Sequence, residues 1–180
     1  MKQAENSYQP ATSLYCVAAT YTMEPTLRCR IFNCKDTQVD VYNRARRGGI
    51  YGEESGGHLV GVIPDVSDPS KAAVGPWFIP QFLYGPYWIV AVGKYSELVS
   101  GAPKTDFTYE WAIITGGPPN RETSSGKCIP GVGFQNEGFW IFTRMNDPGD
   151  VIIGEIEKKA EALGLDTSEL IKVKHEGCTY

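Results

Sequence analysis

Histidine is nearly missing: His58 and His175 are the only two in the chain. A zinc site or a Ser-His-Asp triad would have to draw on one of them, and both read as peripheral. The nucleophile elbow, the phosphate-binding P-loop and the dinucleotide fingerprint are absent as well, so nothing nominates an enzyme and no cofactor or metal is implied. No apolar stretch reaches the roughly 18 residues of a transmembrane helix. Basic runs are short, none exceeding Arg44 to Arg47, and the net charge is -4, which speaks against a nucleic-acid partner. The opening MKQAENSYQP is polar and lacks the apolar core of a secretory signal. CxxC spacing is missing too, although there are five cysteines. That usage suits an oxidising compartment (secreted, periplasmic or plastid lumen), with any targeting peptide not present in this sequence.

What remains is a β-rich chain. Hydrophobic residues make up 42%, with 20 glycines and 12 prolines, a globular and turn-rich composition whose length suits one domain over residues 1-180. Two long runs, Gly85 to Val92 (GPYWIVAV) and Phe107 to Gly117 (FTYEWAIITGG), read as strands joined by a polar loop; Phe139 to Arg144 (FWIFTR) reads as a third. All three carry large apolar side chains on both faces, so both faces must be dry. A parallel sheet between helices would satisfy that, but it needs a helix between successive strands, and only one convincing helix is present. A closed antiparallel barrel is the remaining solution, with one face lining an interior and the other partly covered by that helix. Earlier strands are Cys16 to Met23, Gln38 to Ala45, His58 to Pro64 and Ala72 to Phe78, with Gly48 to Gly57 as a turn and residues 1-13 as a lead-in or an incomplete first strand. The helix covers residues 151-164: Ile152, Ile153, Ile156, Ala160 and Leu163 recur at helical spacing after Asp150 as N-cap, and Gly164 stops it. Residues 167-173 close the chain as a short edge strand.

Several local sequences, in order, resemble the lipocalins over nearly the whole chain. Cys16-Val17-Ala18-Ala19-Thr20-Tyr21 looks like that family's second strand, Val41-Tyr42-Asn43-Arg44 its third and Gly85 to Val92 its sixth. Thr105-Asp106 followed by Tyr109-Glu110-Trp111 resembles the turn into strand seven, with Asp106 as the turn residue. Trp140-Ile141-Phe142-Thr143-Arg144 resembles the signature that ends in an arginine. The pattern is most similar to the branch of apolipoprotein D, bacterial lipocalins and plastid lipocalins. It implies an all-β, eight-stranded up-and-down barrel with one C-terminal helix packed outside. The Gly-x-Trp signature of the first strand has no counterpart: alignment through Asn6-Ser7-Tyr8 places its tryptophan just before Met1. In the family that indole stacks on the arginine here numbered 144, so either the first strand is incomplete in this sequence or another residue takes the indole's place.

The resemblance carries further expectations. In the related branch a cysteine at the start of strand two bridges one in the tail, which implies Cys16 with Cys178; Cys29 and Cys34 would then pair locally and Cys128 is left over. Tyr21, Asn43, Trp88, Trp140 and Phe142 fall on inward faces, with Trp111 and Arg47 beside them, at positions that line the ligand pocket of related lipocalins. The implied function is binding, transport or sequestration of a small hydrophobic molecule: a lipid, fatty acid, sterol, retinoid or carotenoid. Two rivals stand beside it. One is an accessory subunit docking through the apolar Pro80 to Pro86 corner on a larger assembly, such as one with a membrane-associated protein partner. The other is an enzyme like the xanthophyll de-epoxidases, which share the fold but add a cysteine-rich domain that this chain lacks.

Overall fold

The computed structural model describes residues 1-6, 10, 12-23, 38-131, 133 and 136-180. Strand β1 (Lys2–Gln3) is followed by β2 (Leu14–Thr22), β3 (Gln38–Arg47), β4 (Glu53–Val62), β5 (Lys71–Gly75), β6 (Gly85–Gly93) and β7 (Trp111–Thr115). A small hairpin of β8 (Arg121–Glu122) and β9 (Cys128–Ile129) precedes β10 (Phe139–Thr143), helix α1 (Asp150–Ala162) and β11 (Ile171–Lys172). The main sheet runs in the order β11-β1-β10-β7-β6-β5-β4-β3-β2, each neighbouring pair antiparallel. Its two ends meet where Tyr15 of β2 forms a bridge to Lys174, just beyond β11, and the Cys16 N–H donates to the Lys174 carbonyl at 3.0 Å. The sheet thus returns on itself as an all-β up-and-down barrel with one helix outside, the lipocalin architecture expected from sequence.

Strand alternation explains why both faces of the late strands are apolar. Trp111 and Ile113 of β7 and Phe139 and Ile141 of β10 point outward, onto Ile152, Ile153, Ile156 and Ala160 of α1. Ile113, Ile141 and Ile156 are all 0% exposed. Their neighbours Ile114 and Trp140 point the other way, into a second cluster with Leu14, Val17 and Ala45 inside the barrel. The helix is therefore held by an apolar stripe, as an amphipathic segment of this length must be. Its N-cap position is Gly149, at φ 87, and the expected cap Asp150 is instead the first helical residue, its carboxylate accepting from Lys172 Nζ at 2.7 Å. Gly164, at φ 85, ends the helix in the left-handed conformation that suits glycine.

At the seam between β2 and the tail, the register slips between Tyr15 and Ala18, and Cys16 takes a φ of 55. A left-handed conformation costs a non-glycine residue about 1–2 kcal/mol, so the site must be held from outside itself. Cys16 is held by a disulfide to Cys178, 162 residues away. The pairing implied by the resemblance is the one observed. Cys29 and Cys34 lie outside the described residues, and among the described cysteines Cys128 is free.

Some boundaries differ from the sequence reading. The run FTYEWAIITGG yields a strand only over Trp111–Thr115. The cause is Glu110, 2% exposed, whose carboxylate accepts the Tyr95 N–H at 2.6 Å and the Thr105 N–H at 2.9 Å. That clasp folds residues 105-109 into a bend containing Asp106 and leaves Phe107 and Tyr109 exposed. Strand β4 begins at Glu53, shortening the turn after β3, and β5 stops at Gly75, so residues 76-84 form a loop with a single 3-10 turn at Gln81–Leu83. The closing strand is the two-residue β11.

Candidate functional site

The barrel encloses a cavity of about 290 Å³. Val17 and Ala19 of β2, Val41 of β3, Leu59 of β4 and Val74 of β5 form aliphatic walls; Tyr87, Trp140 and Phe142 form an aromatic one. Pro86 of β6 and Pro76, Ile79, Leu83, Gly116 and Glu137, from the loops at one end, complete the lining. The aromatic wall is flat. Tyr87 and Trp140 lie at 28° with centroids 6.3 Å apart, and Trp140 and Phe142 at 24° and 6.5 Å, an offset-stacked row of three rings. Gly138 makes room for this: a Cβ there would sit 2.0 Å from the Trp140 ring.

Polar groups in the cavity are few. Asn43 presents its carboxamide from β3. Tyr21 of β2 and Tyr87 of β6, four strands apart in the sheet, join their hydroxyls at 2.6 Å across the bore. Tyr21 keeps 43% of its surface as a cavity-wall residue does, while burial of its hydroxyl pushes the pKa up to about 12. It is a neutral phenol at any physiological pH. Among the described residues that line the cavity, Glu137 alone carries a charge, and no group of His, Cys, Asp or Glu side chains assembles that could hold a metal.

Tyr21, Asn43, Trp140 and Phe142, all expected inward, come together on this surface. Three others do not. Trp88 faces outward, with Lys71 Nζ 5.2 Å from its ring centroid, because β6 pairs with β5 so that Tyr87 takes the inside position and Trp88 sits opposite Lys71. Trp111 is buried in the outer cluster under α1, its Nε1–H donating to the Lys94 carbonyl at 3.2 Å. Arg47 is exposed at the end of β3, opposite Leu14 and Glu53, where the strand runs out beyond the cavity. Tyr87 and Glu137 were missed. Tyr87 lies in an apolar run in which either face could be the inner one, and Glu137 lies in a glycine-rich loop without periodicity.

Arg144 has aromatic partners other than the missing indole. Its guanidinium lies 4.6 Å from the Phe107 centroid and 5.4 Å from that of Tyr109. The bend created by Glu110 supplies these rings, each contact worth about 0.5–1 kcal/mol at an exposed site. The loop between β7 and β10 is tethered as well: Cys128 N–H donates to the Gly164 carbonyl at 2.8 Å, and Thr123 and Ser125 both donate to Asp166. Hydrogen bonds from Ser168 first, then these from Thr123 and Ser125, hold the Asp166 carboxyl well below the usual carboxylate range. By contrast, Phe78, Phe82 and Leu83 of the 76-84 loop are 69%, 82% and 40% exposed beside the cavity.

No protein-family model and no curated protein matches the sequence. Solved structures do match. Lobster apocrustacyanin A1 superposes with a TM-score of 0.57 at 14% identity over 98% of this chain and 74% of that one. Apocrustacyanin C2 gives 0.55 at 13% identity, again over 98% and 74%. H1 crustacyanin from the lobster Homarus americanus gives 0.54 at 13% identity over the same shares. At such identities the likeness is one of fold, and with the barrel, the outer helix and the disulfide seam it establishes that this chain has the lipocalin fold.

Proposed function

We propose that this protein binds a small hydrophobic molecule in the barrel cavity, to carry or sequester it. The observation that supports this reading is an interior left hollow: aliphatic and aromatic side chains surround about 290 Å³ instead of filling it. That volume sits near the lower end of the ~300–1,000 Å³ typical of small-molecule sites. Burying about 400 Å² of apolar ligand at ~25 cal/mol/Å² would contribute roughly 10 kcal/mol gross, from which association and ordering subtract several. The remainder, roughly 5–7 kcal/mol, corresponds to a dissociation constant of about 10–200 μM. Placement in the branch of apolipoprotein D, bacterial and plastid lipocalins is proposed from the order of the local motifs, and the Cys16–Cys178 disulfide suits an oxidising compartment.

The test is titration of intrinsic fluorescence, since Trp140 lies on the cavity wall. A panel of fatty acids, sterols, retinoids and carotenoids should include at least one class that quenches saturably, and Val41→Arg, which puts a charge into the space, should abolish it. Flat traces across the panel would sink the reading.

A second reading draws on the 76-84 loop. Its exposed Phe78 and Phe82 form an uncharged apolar corner beside the cavity that suits a partner protein. Phe78→Ser with Phe82→Ser should then abolish a pull-down without altering ligand titration.

A further inference from the structure

Building on the cavity reading, we infer that the Tyr21–Tyr87 pair is a crossbar that sets the length of chain the cavity accepts, with Tyr21 as the specificity-determining residue. Both tyrosines line the cavity, and their hydroxyls meet at 2.6 Å from opposite walls. Four antiparallel steps separate β2 from β6 in the sheet, so the two strands run in the same direction. Tyr87 stands two residues inside the end of β6 that follows the 76-84 loop, whereas Tyr21 stands one residue from the opposite end of β2. The bar therefore crosses the bore obliquely, from near the loops on one wall to near the far end on the other. A straight chain that enters past Ile79 and Leu83 and extends along the bore has to pass it.

Each half of the bar is braced. Tyr87 rests against Trp140 with centroids 6.3 Å apart, and Trp140 against Phe142 at 6.5 Å, so the Tyr87 ring cannot retreat into that wall. Tyr21 is paired with Val41 in the ladder of β2 and β3, and its ring leans on that of Tyr87, at 53° and 6.5 Å between centroids. The hydrogen bond between the two hydroxyls holds the tips together, and such a bond shifts an equilibrium by about two- to tenfold. A ligand short enough to lie on one side leaves the bond intact. A longer one must break it and push a ring aside. In a homologous series, each buried methylene should tighten binding about fourfold until the chain reaches the bar, where the gain stops.

The experiment titrates the full chain with straight-chain alkanols and fatty acids of about eight to about eighteen carbons, read by intrinsic tryptophan fluorescence. In the parent protein, affinity should climb about fourfold per methylene and then level off. Tyr21→Ala, which removes the bar, should move that plateau to chains at least about two methylenes longer. Tyr21→Phe keeps the ring and loses only the bond; it should tighten binding of chains beyond the plateau by about two- to tenfold and leave shorter chains unchanged. It also carries the test if Tyr21→Ala does not fold, as judged by far-UV circular dichroism. An unchanged plateau in the variants that fold would overturn the inference, reducing the pair to a strut between walls, while leaving the cavity reading intact. Affinity that climbs through the whole series in the parent would overturn it as well. If no chain of either series binds, the inference falls, and the sterols, retinoids and carotenoids of the wider panel decide the cavity reading separately.

Discussion

The ring of strands is held shut by different means on its two sides. On the helix side, β7 and β10 pair over five registered positions, and Ile113, Ile141 and Ile156 form a waterless layer beneath α1. On the seam side, β1 and β11 are two residues long, a single bridge joins Tyr15 to Lys174, and a disulfide spans the gap. Where strands are long enough to bury side chains on both faces, packing closes the barrel; where they are not, a covalent bond does. The seam also tolerates a left-handed cysteine at Cys16, which the helix side has no need of.

If that contrast is real, the largest effect belongs to the disulfide. Reducing it, or making Cys16→Ser with Cys178→Ser, removes a crosslink over 162 residues and should cost about 3–5 kcal/mol in urea unfolding. A loss below about 1 kcal/mol would show that the seam holds itself and would break the comparison. Next comes Ile156→Ala, which empties a fully buried position under the helix and should cost about 2–4 kcal/mol. Because that layer lies outside the barrel, ligand titration of this variant should match the parent; altered affinity would mean that the two faces of β7 and β10 are mechanically coupled.

The smallest effect is a pH dependence confined to the seam. Burial pushes His175, whose Nδ1 meets the Tyr180 hydroxyl, from its ordinary 6.5 down to about 4. The folded chain therefore keeps it neutral over a range in which the unfolded chain protonates it. Its contribution is complete above pH 6.5 and is lost as pH falls from 6.5 toward about 4. The urea midpoint should decline between pH 7 and pH 5, above the range of ordinary carboxylates, and His175→Gln should flatten the decline. An equal decline in both proteins would remove histidine from the account.

Much of this was legible beforehand, and the gaps have physical causes. Two dry faces on FWIFTR and WAIIT, with one amphipathic segment to cover the outer face, already required a barrel with a single helix. The inside and outside of β6 could not be told apart. A two-residue period separates Tyr87 from Trp88 but does not say which of them faces inward, and that choice belongs to the pairing with β5. Trp111 shares the ambiguity: its ring suits either side, and burial under α1 decides it. Glu110 was hidden for another reason. A lone carboxylate in FTYEWAIITGG looks like a solvent-facing strand residue, and only the tertiary approach of the Tyr95 and Thr105 N–H groups turns it into the clasp that shortens β7. The Cys16–Cys178 pairing came from resemblance alone, since five cysteines permit many pairings.

The position of the crosslink has a consequence for biosynthesis. Hairpins from β3 to β6 can form as soon as each turn leaves the ribosome, because their partners are neighbours in sequence. Cys16 must wait for Cys178. Until Cys178 has emerged, the future bore is an open trough of exposed valine, tyrosine and tryptophan, and the thiol of Cys16 that will lock it is still unpaired. A nascent chain in that state is vulnerable to aggregation, so the oxidant that seals the last gap acts as the timekeeper of maturation.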